Sequence, residues 1–227
     1  MLALFITATG TDIGKTYVSS ALLRHWRQAG KRVQALKPIM SGFDPAAPAG
    51  SDAGQLLDAL GLPIEARTLD AIAPWRFRAA LSPDMAAARE GKTVDFPTLL
   101  DFCRVETAKT ADILLIEGVG GVMAPINEQM TVLDWMAALR LPVVIIAGSY
   151  LGTISHTLTA LDVLARKRID VAALVINEST VNPVPLAETA GAIGRYWKSA
   201  PIAGFVRNAD AAAVAQLAQT LEHAMAM

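Results

Sequence analysis

Short apolar runs alternate along the chain with longer segments whose apolar residues recur every three or four positions. The apolar runs predict buried strands at Leu2 to Ile6, Val33 to Leu36, Ile113 to Ile116, Val143 to Ala147 and Leu174 to Ile176. The periodic segments predict helices at Gly14 to Ala29, Asp52 to Leu60, Thr131 to Leu139, Thr153 to Arg166, Leu186 to Trp197 and Ala209 to Ala224. The alternation is typical of a doubly wound α/β fold, with a mostly parallel sheet and helices on both faces.

Length and composition narrow this picture. The 227 residues suit one domain spanning 1–227, and the Pro- and Gly-containing stretch Phe43 to Ser51 is predicted to be a flexible loop inside it. The net charge of −1 and the lack of a basic block argue against a nucleic-acid partner. The single cysteine, Cys103, excludes an intramolecular disulfide. The sequence shows no signal-peptide pattern, and no apolar run approaches the ~18 residues that are needed to span a bilayer. We therefore expect a cytoplasmic protein without a membrane partner.

The segment Thr7 to Thr16 joins the first predicted strand to the first predicted helix and contains Gly14-Lys15-Thr16. Backbone N–H groups at such a helix start face an anion, a lysine adds a full charge, and a threonine hydroxyl suits Mg²⁺. The strict motif has a glycine five residues before Gly14, where Thr9 stands here. The strand-to-helix context still predicts a phosphate-binding loop for a nucleoside triphosphate.

Other polar residues follow the predicted strands, at the edge where ligands bind in open α/β sheets. Lys37 follows the second strand and offers a second cation to phosphate oxygens. Glu117 ends a buried strand, which is the position of an acid that holds Mg²⁺ directly or through water. Asn177 ends a later strand, and its amide offers a donor and an acceptor suited to the edge of adenine.

Some candidates have equally simple structural interpretations. Ser41 beside Gly42 either contacts a ligand or forms a turn. Asp52 either binds magnesium or caps the helix that follows, and the sequence alone favours the cap. His156 belongs to no cluster with metal-ligand spacing, so we interpret it as a packed or surface residue.

Taken together, these motifs resemble those of the dethiobiotin synthetases, ATP-dependent ligases of biotin synthesis with a P-loop NTPase fold. The resemblance covers most of the chain and rests on Thr11 to Thr16, Lys37-Pro38 with Ser41-Gly42, Ser51-Asp52, Ser82-Pro83, Glu117 to Gly121, Asp134-Trp135, Leu141 to Val143, Leu151 to Thr153 with His156, and Asn177. The chain departs from the family pattern at Ala8, Gly10, Asp12, Asp84 and Arg207, where the family commonly has glycine, aspartate, glutamate, histidine and proline.

The resemblance implies a reaction and a set of partners. 7,8-Diaminononanoate would react with CO₂ or bicarbonate and ATP, through a carbamate and a carbamic-phosphoric anhydride, to give dethiobiotin, ADP and phosphate. It also implies a homodimer with the substrate at the interface and a helix N-terminus near Gly152-Thr153 that holds the substrate carboxylate of the partner subunit. Mg²⁺ is the implied cofactor.

The resemblance further implies roles for individual residues. Lys15 and Lys37 would be catalytic, and the metal would be held by Thr16, Asp52 and Glu117. The implied ATP-binding positions are Asp12, Ile13, Gly14, Lys15, Thr16, Tyr17, Asp52, Glu117, Gly118, Val119, Gly120, Asn177, Glu178, Val206, Arg207 and Asn208. The implied substrate positions are Thr11, Ser41, Tyr150, Leu151, Gly152 and Thr153.

Two alternatives share the fold. A regulatory ATPase of the partitioning type usually carries an extra lysine near the start of its loop, where this chain has Ala8, Thr9 and Gly10. An amidating ligase of the corrin type is normally longer and has a glutaminase portion with a nucleophilic cysteine, for which Cys103 is poorly placed.

Overall fold

The structure, a computed structural model, describes residues 2–109 and 111–224. In chain order the elements are β1 (Leu2–Ala8), α1 (Lys15–Gln28), β2 (Val33–Leu36), β3 (Ile39–Met40), a 3₁₀ turn (Pro48–Gly50), α2 (Asp52–Leu60), α3 (Ala66–Ile72), β4 (Trp75–Arg76), α4 (Pro83–Ala88), α5 (Phe96–Thr107), β5 (Ile113–Glu117), α6 (Val132–Leu139), β6 (Val143–Ala147), α7 (Thr153–Arg166), β7 (Val171–Asn177), α8 (Leu186–Gly194), β8 (Ile202–Phe205) and α9 (Ala211–Ala224).

Six strands form one sheet in the order β2-β5-β1-β6-β7-β8, and each neighbouring pair is parallel. All residues of β5 and β6 are buried, as expected where helices cover both faces of a parallel sheet. The predicted α/β fold is therefore confirmed. Strands β3 and β4 pair separately, beside the main sheet.

Strand register brings the chemistry-bearing residues to one edge. Residue Ile6 of β1 lies beside Glu117 of β5, and Ala8 lies beside Ile146 of β6. The latter pairing extends β1 two residues beyond the predicted end at Ile6. Because the strands are parallel, their carboxyl ends meet at this edge, and the phosphate loop starts there, in the middle of the sheet.

Helix α1 begins immediately after Gly14, whose φ of 96° is a conformation that glycine adopts without strain. A Cβ atom at this position would stand 2.2 Å from Nδ2 of Asn177, so the close approach also requires glycine. The helix buries Val18, Leu22 and Trp26 against the sheet and ends at Gln28, close to the predicted end. Its first turn therefore lies in a fixed position at the ligand edge.

The sequence pattern misplaced or missed several outer elements. Helix α8 ends at Gly194 rather than at Trp197, and α9 starts at Ala211 rather than at Ala209. The loop predicted for Phe43 to Ser51 contains a 3₁₀ turn. The pattern did not predict β3, β4, β8, α3, α4 or α5, most of which are short, and α5 buries only Leu99 and Cys103. None of the described helices is long and apolar enough to cross a bilayer.

Candidate active site

Lys15 is the first residue of α1, and its Nζ atom donates a hydrogen bond of 2.8 Å to the carbonyl oxygen of Gly120. Burial and the neighbouring Lys37 ammonium lower the pKa of Lys15 from 10.5 to about 8, although the carboxylates of Glu117 and Asp52 oppose the shift. An anion that binds beside Lys15 would stabilise its charged form, which burial and Lys37 disfavour. The position is therefore suited to the phosphates of a nucleotide.

A second lysine lies at the centre of an ionic cluster. The Nζ atom of Lys37 contacts Glu117 Oε1 at 2.7 Å, Asp52 Oδ2 at 2.8 Å and the carbonyl oxygen of Gly118 at 3.0 Å. The side chains of Lys37 and Glu117 are only 2 % and 1 % exposed. Thr16 joins the cluster, because its hydroxyl donates a hydrogen bond of 2.6 Å to Glu117 Oε1. Four residues predicted from separate segments thus come together.

The charges in this cluster support one another. Burial alone would lower the pKa of Lys37, but Glu117 and Asp52 outweigh it and hold that pKa above its ordinary value. Burial alone would raise the pKa of Asp52, but Lys37 outweighs it and holds that pKa below the ordinary value. Lys37 and Asp52 are therefore both charged at neutral pH.

The sequence-based preference for Asp52 as a helix cap is wrong. Ser51 is the cap of α2, and its Oγ atom accepts a hydrogen bond of 3.1 Å from the backbone N–H of Gly54. The 3₁₀ turn before it leads Ser51 into an extended conformation, so Asp52 becomes the first helical residue. Its carboxylate is thereby free to pair with Lys37.

The oxygen atoms of this cluster fit a magnesium ion. Oε2 of Glu117 is buried and has no hydrogen-bond partner among the described residues. Oε1 of the same carboxylate accepts from the Thr16 hydroxyl and from Lys37, which also contacts Asp52. The described ranges contain no group of three or more His, Cys, Asp or Glu side chains that could hold a metal. Magnesium at nucleotide sites needs only one or two carboxylates, because substrate phosphates complete its shell.

A cavity of about 790 Å³ opens beside the two lysines. Thr11, Asp12, Gly14 and Tyr17 of the predicted site line it, together with Ser41, Val119 and Gly120. The other lining residues are Lys15, Thr16, Lys37, Met40, Gly42, Gly50, Ser51, Asp52, Gln55, Ala80, Leu81, Ser82, Pro83 and Ala124. Sequence reasoning missed Met40, Gln55, Ala80 and Leu81 as site residues, since no motif marks such ordinary side chains; the family-like Ser82-Pro83 was the one nearby signal.

A second group of predicted residues adjoins the phosphate loop at the ends of β7 and β8. The Nδ2 atom of Asn177 donates a hydrogen bond of 2.9 Å to the carbonyl oxygen of Ile13, while its Oδ1 atom is buried and finds no partner in the described part of the chain. The backbone N–H of Arg207 donates to Glu178 Oε2 at 2.8 Å, and that of Asn208 donates to the Tyr17 hydroxyl at 2.9 Å. The structure thus connects these positions to one another and to α1.

The predicted substrate segment Tyr150 to Thr153 lies outside the cavity beside the two lysines. It follows β6, and within the described ranges none of its residues lines the 790 Å³ cavity. Gly152, with φ of 100°, precedes α7, and the Thr153 hydroxyl donates a hydrogen bond of 2.7 Å to the carbonyl oxygen of Gly148. Leu151 is 88 % exposed, and His156 is a surface residue whose Nδ1 atom lies 2.9 Å from the Tyr150 hydroxyl.

Similarity to known proteins accords with this geometry. Residues 3–222 match the profile of a family described as an AAA domain. The ATP-dependent dethiobiotin synthetase of Acidiphilium cryptum is 47 % identical over 203 residues, which cover 89 % of this chain and 91 % of that protein. The chain belongs to the dethiobiotin synthetase family. The ATP-dependent dethiobiotin synthetase of Phenylobacterium zucineum is 45 % identical over 219 residues, which cover 96 % of this chain and 94 % of that protein.

A solved structure gives the same fold at low identity. HypB from Helicobacter pylori, in complex with nickel, superposes with a TM-score of 0.58 and 14 % identity, over 98 % of this chain and 86 % of that one. At this identity the similarity concerns the fold alone. It agrees with the α/β fold described above.

The cysteine does not have the properties of a nucleophile. Cys103 is fully buried on α5, and burial raises the pKa of its thiol to about 12. A nucleophilic cysteine needs an accessible thiolate near neutral pH. Cys103 therefore lends no support to the amidating-ligase alternative.

Proposed function

We propose that this chain catalyses the ATP-dependent conversion of 7,8-diaminononanoate and CO₂ to dethiobiotin, ADP and phosphate, the ring-closing step of its family in biotin biosynthesis. One observation carries the proposal: Lys37, Glu117, Asp52 and Thr16 form a single cluster beside Lys15, with Lys37 and Glu117 buried at its centre, in a member of this family. We further propose that residues 1–227 act as one ligase domain in the cytoplasm, where ATP is available.

In the proposed mechanism the protein orients the reactants and stabilises charge. One neutral substrate amine attacks CO₂ and loses a proton, which gives a carbamate. A carbamate oxygen then attacks the γ-phosphorus of ATP, so that the bond to ADP breaks, ADP leaves and a carbamic-phosphoric anhydride forms. The second amine then attacks the carbamoyl carbon, closes the cyclic urea and releases phosphate. Lys15 and Lys37 stabilise negative charge on the transferring phosphoryl group, and the cavity holds the carbamate in line with it.

Mg²⁺ is the proposed cofactor, with Thr16, Asp52 and Glu117 as its protein ligands. When bound with ATP it would neutralise charge on the phosphate oxygens. The unpartnered Oε2 atom of Glu117 supports this role. Lys37 is held by the same two carboxylates, which fixes its ammonium at the end of the site where phosphoryl transfer takes place.

The nucleoside is proposed to lie on the opposite side of β1. The proposed phosphoryl-transfer residues lie on one side of β1, where Lys37 follows β2 and Glu117 ends β5, whereas Asn177 ends β7 on the other side. The unpartnered Oδ1 atom of Asn177 suits the exocyclic amino group of adenine. Glu178 and the segment 206–208 adjoin it. On the phosphate side, Val119 lines the cavity and the carbonyl oxygen of Gly118 accepts a hydrogen bond from Lys37.

The proposed dimer explains the segment Tyr150 to Thr153. Ser41 and Thr11 line the cavity and would contact the diamine end of the substrate, but this second segment does not line the cavity of its own chain. Its exposed Leu151 and the N-terminus of α7, which has no side-chain cap, suit an apolar substrate chain that ends in a carboxylate. We propose that they serve the partner subunit's substrate.

The proposed function has a direct test. Purified protein is mixed with ATP, Mg²⁺, bicarbonate and 7,8-diaminononanoate, and dethiobiotin is measured by mass spectrometry beside ADP release. We expect equal amounts of both products and little ADP when the diamine is omitted. ADP release that is independent of the diamine, with no dethiobiotin, would contradict the ligase and favour the regulatory ATPase.

A shared active site predicts complementation between two inactive variants. Lys37→Ala removes the phosphoryl-transfer lysine, and Leu151→Glu places a negative charge where the substrate carboxylate would bind. In a mixed dimer one site has both an intact Lys37 and an intact Leu151. Random mixing of equal amounts makes half the dimers mixed, so activity should return to about one quarter of wild type.

Leu151→Gln is the matched control, because it changes the size of the side chain as Leu151→Glu does but adds no charge. It should keep most of the activity by itself. Subunit exchange is verified by native mass spectrometry. If mixed dimers form and the mixture stays inactive, each chain binds its substrate alone and the shared-site proposal is wrong.

A further inference from the structure

The side chain of Tyr17 attaches the turn after β8 to the start of α1. The phenolic oxygen of Tyr17 accepts a hydrogen bond of 2.9 Å from the backbone N–H of Asn208. The Tyr17 ring packs edge-on against Phe205, the last residue of β8, with ring centroids 5.7 Å apart. Together the two contacts hold the segment 206–208 against α1.

Tyr17 belongs to the same helical turn as the residues of the phosphate loop. It directly follows Lys15 and Thr16 in the first turn of α1, and it lines the cavity that contains them. Any shift of this turn would move the Tyr17 hydroxyl, and with it the Asn208 amide. The hydrogen bond therefore sets the distance between the phosphate loop and the turn after β8.

The same turn has a second attachment on the side of β7. Glu178 accepts a hydrogen bond of 2.8 Å from the backbone N–H of Arg207, and its own N–H donates to the carbonyl oxygen of Phe205 at 2.9 Å. The adjacent Asn177 presents a buried and unpartnered Oδ1 acceptor, as far as the described residues show. Val206 is 46 % exposed and offers an apolar surface to a base. The segment 206–208 is thus held by hydrogen bonds to Tyr17 on α1 and to Glu178 after β7.

We propose that Tyr17 is a positioning residue whose hydroxyl holds the segment Val206 to Asn208 at the distance of a nucleoside from the phosphate loop, and so sets the preference of the site for adenine. The inference rests on the nucleoside position given under the proposed function. The phosphate loop binds any nucleoside triphosphate, so selectivity has to come from groups beyond it. An adenine amino group donates to the Asn177 acceptor, whereas the guanine carbonyl oxygen opposes it.

The test compares three probes on wild type and on Tyr17→Phe. The substitution removes the hydroxyl but keeps the ring against Phe205. The probes are ATP, GTP and inorganic tripolyphosphate, which has no base, and their dissociation constants are measured by calorimetry with Mg²⁺. We expect ATP to bind about fivefold more weakly, the size of effect that one hydrogen bond produces, with GTP and tripolyphosphate nearly unchanged.

Tyr196→Phe is the matched control, since it removes the hydroxyl of a 74 % exposed tyrosine after α8. It should leave all three affinities unchanged. The inference is overturned if Tyr17→Phe keeps the wild-type ratio of ATP to GTP affinity, if tripolyphosphate weakens as much as ATP, or if wild type does not prefer ATP. These measurements need no ligase turnover, so a wild-type chain that bound ATP selectively but made no dethiobiotin would refute the proposed function and leave this inference standing.

Discussion

Replacing Lys37 with alanine is expected to lower the turnover number by about 10²- to 10³-fold, the usual cost of removing one preorganised charge-stabilising donor. Lys37 lies 2.7 Å from Glu117 and 2.8 Å from Asp52, so its ammonium is held in place before ATP binds. ATP affinity should fall much less, if the contact with phosphate strengthens as charge moves in the transition state. The rate constant and the nucleotide dissociation constant are measured separately.

This substitution also tests stability, because Lys37 and Glu117 are both almost fully buried. Leaving the Glu117 carboxylate without its cation should cost about 3–5 kcal/mol of unfolding free energy. Lys37→Gln serves where the alanine variant does not fold, since its amide still donates a hydrogen bond but carries no charge. A folded variant that turns over within threefold of wild type would show that Lys37 is only a structural ion pair.

Replacing Lys15 with alanine should abolish measurable turnover and weaken ATP binding by about 10- to 100-fold, since a charge-assisted hydrogen bond contributes about 1.5–3 kcal/mol. The effect on stability should have the opposite sign to that of Lys37→Ala. Burial lowers the pKa of Lys15 from 10.5 to about 8, so folding opposes its charge by about 3 kcal/mol below pH 8. Its removal should leave the melting temperature unchanged or raise it.

Lys198→Ala is the control for Lys15→Ala, because it removes an exposed lysine outside the cavity. Melting is followed by circular dichroism, and ATP binding by calorimetry. A Lys15→Ala variant with wild-type ATP affinity and rate would contradict the phosphate-loop interpretation. A variant that unfolds many degrees lower would contradict the electrostatic account of its pKa.

The central sheet was predictable because burial on both faces leaves a clear mark in the sequence. Strand β6 is a continuous apolar run and so is β5 up to its last residue, Glu117, whose charge marks the ligand edge. Helices α3, α4 and α5 were not predictable in the same way. Only Leu69 and Ile72 of α3 are buried, too few to make a period visible among exposed residues.

The sequence predicted that several candidate residues lie at one edge of the sheet, but it did not predict their contacts. Sequence position placed Lys37 and Glu117 at one edge, but their ion pair joins residues 80 positions apart and depends on strand register. The cap of α2 was assigned to Asp52 instead of Ser51, an error of one residue. The position of the cap depends on the backbone conformation that follows the 3₁₀ turn, which the sequence pattern does not show. The link from Tyr17 to Asn208 joins the two ends of the chain, and no local pattern marks it.

The central place of β1 in the sheet has a consequence for how the chain folds during synthesis. Strand β1 is synthesised before its neighbours β5 and β6, which begin at Ile113 and Val143, so both of its edges stay unpaired until synthesis has passed Ile113. Contacts of such long range form slowly, and unpaired apolar strands invite aggregation. The phosphate loop that β1 carries is therefore translated well before the strands that hold it in position.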